Sequence, residues 1–216
     1  MASTATALNG SALTSSTVAV AGNVFGGGEA ALVTGSTTVT LQADNPGTSA
    51  STSVGGHVFG GGNLANVSNS TDVNINGGTV DSNVYGGGNL ADVLHSTDVT
   101  IDGGTVTQDV YGGGALANVG TNSSDHTNVT VTSGTVTGGV YGGGLGDDDH
   151  AALVNGAVQV TVESGSVNDV FGCNNVNGRP TSTVRVDINK SFAAPRSMAV
   201  CASCPQACIT PLFSEP

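Results

Sequence analysis

The densest run of reactive side chains is GGGLGDDDH, at residues 142–150. Asp147, Asp148, Asp149 and His150 offer two kinds of chemistry. Paired carboxylates carry the acid–base steps of glycosidic cleavage, which makes these four the candidate catalytic residues of a polysaccharide hydrolase or lyase. Residues 143–148 also fit the first six positions of the Ca2+-binding nonapeptide G-G-x-G-x-D-x-U-x. Asp147, Asp148 and Asp149 are therefore candidate Ca2+ ligands, and Ca2+ is the one cofactor the sequence suggests. The match is single, however, and His150 stands where the nonapeptide has a large apolar residue. A solvated acidic loop is the plainer reading.

Other motifs point to weaker chemistry. The run GGG recurs five times, but a phosphate cradle needs a following helix and usually a Lys, and neither follows here. Thr105/Thr107 and Thr135/Thr137 form TVT pairs whose hydroxyls would share a face, as in an ice-binding solenoid, although β-propensity explains Thr in strands equally. Cys173, Cys201, Cys204 and Cys208 are the only cysteines. The last three give C-x2-C-x3-C without a nearby His to complete a metal set. Free thiols in the tail are the simplest expectation, and an even total permits two disulfides in an exported chain.

Charge narrows the partners. All four basic residues, Arg179, Arg185, Lys190 and Arg196, lie near the C-terminus, while residues 1–178 hold fourteen Asp and Glu. Such a body repels phosphate backbones and anionic lipid surfaces, so nucleic acid is excluded as a partner. No apolar run reaches the roughly 18 residues that suggest a membrane span, and the first residues lack the pattern of an export signal.

The elements that would position these residues emerge from a repeat. The pentad V-[YF]-G-G-G begins at Val24, Val58, Val84, Val110 and Val140, and an altered copy, VFGCN, begins at Val170. The intervals are 34, 26, 26, 30 and 30 residues, in the range of solenoids and propellers. A second motif recurs between the pentads, as in STDVNINGGTV (70–80) and STDVTIDGGTV (96–106). It alternates apolar and polar residues, the period of a strand with one buried face. Val73, Val99, Val129 and Val160 should stack in one inward column, with Asn74, Thr100, Thr130 and Thr161 pointing outward. Phe25, Phe59, Tyr85, Tyr111, Tyr141 and Phe171 should form a ladder beside the pentad valines. The glycines after them are expected to turn corners at φ > 0. Insertions fall between strands, at 119–129 and around 43–52, and a 26-residue unit is too short for a propeller blade.

These units resemble the Gly-rich repeats of large bacterial adhesin-like surface proteins, often from gut-associated bacteria. The resemblance covers roughly residues 16–188, and VFGCNNVNGRPTSTVRVDI is similar to the end of such an array. It implies an extracellular or cell-surface location and supplies no catalytic residues. The expected fold is all-β: a right-handed parallel β-helix of about six coils, with 26–34 residues per coil, over 16–188. A low-complexity polar segment (1–15) precedes it and a tail rich in Pro, Ala and Cys (189–216) follows. The expected function is a non-catalytic structural or adhesive module that binds polysaccharide or host and cell-surface glycan. A carbohydrate-active enzyme is the alternative, and an ice-binding solenoid the third. The N-terminal end of the rod is expected to stay open and the tail to cover the other, so end-to-end self-association is a further expectation.

Overall fold

The structure, a computed structural model, describes residues 4–8, 17–42, 51–189 and 197–199, with the backbone alone at 4–8, 17 and 197–199. The described residues contain no helix, so none is long and apolar enough to cross a membrane. The first strands are β1 (Thr4–Leu8), β2 (Thr17–Val20), β3 (Val24–Phe25), β4 (Thr37–Leu41), β5 (Ser51–Val54) and β6 (Val58–Phe59). Then come β7 (Thr71–Val80), β8 (Val84–Tyr85), β9 (Thr97–Val106), β10 (Val110–Tyr111) and β11 (His126–Tyr141). The last are β12 (Ala157–Val162), β13 (Ser166–Phe171), β14 (Val184–Ile188) and β15 (Ser197–Ala199).

Every pairing is parallel and joins one coil to the next, which makes the molecule a β-solenoid and excludes a propeller. One face stacks β1, β4, β7, β9, β11, β12 and β14. A second runs through β2, β5 and the later parts of β7, β9, β11 and β13. The pentads form the third, with Val24, Val58, Val84, Val110, Val140 and Val170 in register. Single bridges join Val33, Val67, Val93, Val119, Val154 and Pro180 at a fourth corner. The pentad face thus has six rungs, which enclose five turns. Pairing continues past the 16–188 limits, through β1 against β4 and β15 against β13. The insertion at 43–50 lies outside the described residues.

Alternation sets which side chains go in. In β7, Thr71, Val73 and Ile75 are buried while Asp72 and Asn74 are partly exposed. The expected column Val73–Val99–Val129–Val160 forms in register, each residue at most 1 % exposed. Each such Val contributes roughly 1.5–3 kcal/mol by leaving water. The ring ladder also forms: five successive pairs stack at 4.7–5.0 Å between centroids and within 12° of parallel.

The pentad glycines work differently from the sequence expectation. None has a positive φ; that conformation falls instead at turns such as Gly78, Gly104, Gly134 and Gly165. What the pentad requires is close approach. A Cβ on Gly86 would lie 2.3 Å from the carbonyl oxygen of Gly112 in the next coil, and one on Gly87 2.7 Å from the nitrogen of Gly114. Inside the same corner, Thr71, Thr97 and Thr127 donate their hydroxyls to the carbonyls of Gly86, Gly112 and Gly142 at 2.6–2.7 Å. These buried threonines satisfy carbonyls that face the core. The two later coils carry Val158 and Val184 at the same position.

Candidate functional site

The acidic run lies on the corner loop between β11 and β12. Gly146, at φ +71°, turns the chain outward, and Leu145 packs beneath it against the ring ladder. Asp147 then closes a tight turn. Its Oδ1 accepts the N–H groups of Asp149 (2.9 Å) and His150 (2.7 Å) and meets His150 Nδ1 at 2.9 Å. Its own N–H donates to the carbonyl of His150, and Asn177 of the next coil donates to its carbonyl. The His150 side chain, with the two N–H groups, holds the Asp147 carboxyl below the usual range. Asp148, Asp149 and His150 are exposed.

Of the four candidates, the structure therefore joins Asp147 to His150 and leaves Asp148 and Asp149 on the outside of the turn. Asp147 has one oxygen committed to three donors, which suits a turn-forming carboxylate. Among the described residues no three His, Cys, Asp or Glu side chains gather as a metal-holding group. Gly143 and Gly144, the first residues of the nonapeptide match, belong to the stacked corner: a Cβ on either would meet Asn174 or the carbonyl of Gly114.

The other sequence candidates also find places. Thr105 and Thr135 stand in register, continued by Thr79 on one side and Ser166 on the other, and Thr107 and Thr137 are exposed. Cys173 is disulfide-bonded, so its thiol is not free. Cys201, Cys204 and Cys208 lie outside the described residues.

Two sets of polar residues escaped the sequence reading. One forms ladders: Asn23 Oδ1, His57 Nδ1, Asn83 Oδ1 and Asp109 Oδ1 each accept a backbone N–H from the following coil, at 2.7–3.2 Å. Burial pulls the His57 pKa down, in keeping with a neutral ring that accepts. The ladder's signal was the polar residue immediately before each of the first four pentads. The second set surrounds the insertion at 121–124. Asp125 is buried, accepts the N–H groups of Thr121 and Asn122, and meets His95 Nδ1 at 3.1 Å. Burial opposes its ionisation, but those three partners together hold its carboxyl below the usual range. Its signal was the pairing of two His-containing stretches, LHSTDV and DHTNV, one coil apart.

No family model matches the chain, and neither a curated protein nor a solved structure is found to match it. Its function therefore has to be argued from its own geometry.

Proposed function

We propose that the chain is a structural and adhesive repeat module of a bacterial surface-type protein, which holds a polysaccharide or cell-surface glycan without cleaving it. One observation carries the reading. Along the first face the outward residues form two regular rows of hydrogen-bonding side chains, Asp72–Asp98–Asn128–Gln159 and Asn74–Thr100–Thr130–Thr161, in register coil by coil. Such rows suit a repeating polymer rich in hydroxyl groups. The stacked rings cover one another's faces, so sugar rings would be held through hydrogen bonds. The disulfide at Cys173 supports an oxidising, extracellular setting. End-to-end self-association belongs to the same reading, because each turn offers backbone groups aligned along the rod.

A screen on pectin, alginate, xylan and cellulose, with Ca2+ and with EDTA, tests this. Binding without turnover supports the module. Turnover that disappears in Asp148→Ala with the fold intact would replace it with a hydrolase or lyase at the 147–150 turn.

A further inference from the structure

The repeat places one serine in surroundings that its counterparts lack. Ser70, Ser96 and His126 each precede the buried Thr of their coil, and the register of Thr71, Thr97 and Thr127 sets them side by side. Ser96 therefore faces an imidazole in the next coil, where Ser70 faces only Ser96. Ser96 Oγ lies 3.1 Å from His126 Nδ1, and the backbone N–H of His126 donates to the same Oγ at 3.1 Å. Two residues beyond Ser96, Asp98 presents Oδ1 at 3.6 Å from His126 Nε2, an ion-pair rather than a hydrogen-bond distance. Asn128 donates to that same Oδ1 at 2.8 Å and fixes it.

In the tautomer whose hydrogen faces the Asp98 carboxylate, Nδ1 is left bare and can accept a proton. In that tautomer the Ser96 hydroxyl donates to Nδ1 while the backbone N–H of His126 occupies one of its lone pairs. The order is nucleophile, base, orienting carboxylate. Ser96 is half-buried, and the His126 side chain is 38 % exposed, open enough for a small reagent.

We propose that Ser96 is an activated hydroxyl that accepts an acyl group from activated esters. Ser96 Oγ attacks the ester carbonyl while its proton passes to His126 Nδ1. The Oγ–C bond forms, the bond from carbon to the leaving oxygen breaks, and the departing alkoxide takes the proton from His126. The products are acyl-Ser96 and the free alcohol. Nearby N–H groups are already committed, Thr121 and Asn122 to Asp125 and His126 to Ser96 itself. The ester must therefore bring a good leaving group of its own. The site goes beyond the glycan reading and attaches acyl groups covalently to the same rod. Ser96 and His126 are its catalytic residues, and Asp98 is a positioning residue.

Treating the full chain with p-nitrophenyl acetate and locating acetyl groups by peptide mass spectrometry tests the proposal. Ser96 should acetylate at least tenfold faster than Ser70, and His126→Gln should remove that advantage. Asp98→Asn should lower the maximal rate without changing the half-saturating ester concentration, and Asp98→Glu should recover part of it. Release of more than one equivalent of p-nitrophenol, abolished in Ser96→Ala, would show that water then clears the same acyl-Ser96. Equal acetylation of Ser70 and Ser96 in the wild-type chain would overturn the proposal without reliance on any variant. So would a His126→Gln chain that keeps the Ser96 rate. Glycan binding is read in a separate assay and is unaffected by either outcome.

Discussion

A Cβ at Gly86 would sit 2.3 Å from a backbone oxygen of the next coil, whereas one at Gly22 meets nothing within 4 Å. The nearest atom at Gly86 is the backbone oxygen of Gly112, which cannot swing aside, so relief requires separating two coils. Gly86→Ala should therefore cost about 3 kcal/mol or more, in the range of severe overpacking, while Gly22→Ala should be neutral within about 0.5 kcal/mol. Urea unfolding midpoints of the two variants check this, and equal midpoints would contradict the close-approach account. The buried hydroxyl of Thr97 gives a second contrast. Thr97→Val keeps the shape but leaves the Gly112 carbonyl without its donor, an expected loss of about 1–3 kcal/mol. A Val158→Thr change, in a corner now lined by Val154, Val184 and Cys173, should not bring an equal gain. Both are read from the same denaturation curves.

At the scale of the element, the ring ladder couples the coils to alkaline pH. Tyr85 and Tyr111 are almost wholly covered, and Tyr111 both donates to Asp109 and accepts from Asn175. Burial pushes the Tyr85 phenol from 10.0 up to about 12, with the Asp109 charge adding to it against the opposing bond from Asn83. A raised acid pKa means that the folded chain holds its proton where the unfolded chain has lost it. The associated stability is thus complete below pH 10 and declines as pH rises from 10 toward 12, by roughly 2–3 kcal/mol for Tyr85 alone. Phenolate absorbance should lag behind that of free tyrosine and appear together with the loss of β-sheet circular dichroism. Tyr85→Phe should move that loss to higher pH. The ladder and the Val columns were legible in the sequence because a fixed period repeats the same residue type on every coil. The role of the pentad glycines was not, since φ > 0 and close approach select the same residue. The site was legible only as a local run of charge at 147–150. Ser96, Asp98 and His126 come together through coil register, and linear spacing does not display it.

Across the whole molecule, the strands of each coil pair only with those of the neighbouring coils, so stability is to a first approximation a sum of coil and interface contributions. Reducing the disulfide at Cys173 should then loosen the coil around 170–189 and leave the coil around 84–106 unchanged in hydrogen exchange. Uniform loosening along the rod would contradict this picture. Lengthening the exposed loop at 121–124 should likewise cost only about 0.6 kcal/mol per doubling of its length, seen as a small shift in melting temperature. The direction of the backbone hydrogen bonds has a mechanical consequence. They run from coil to coil, along the rod, so a load applied between its two ends opposes them one rung at a time. Such a tether yields by peeling, and successive coils of 26, 26, 30 and 30 residues would each pay out roughly 85–110 Å of slack at 3.3–3.6 Å per residue. Single-molecule pulling should record a staircase of those lengths, and one simultaneous rupture would contradict it. Under load, a rod of this kind would lengthen in measured increments before it let go, dissipating work at each step.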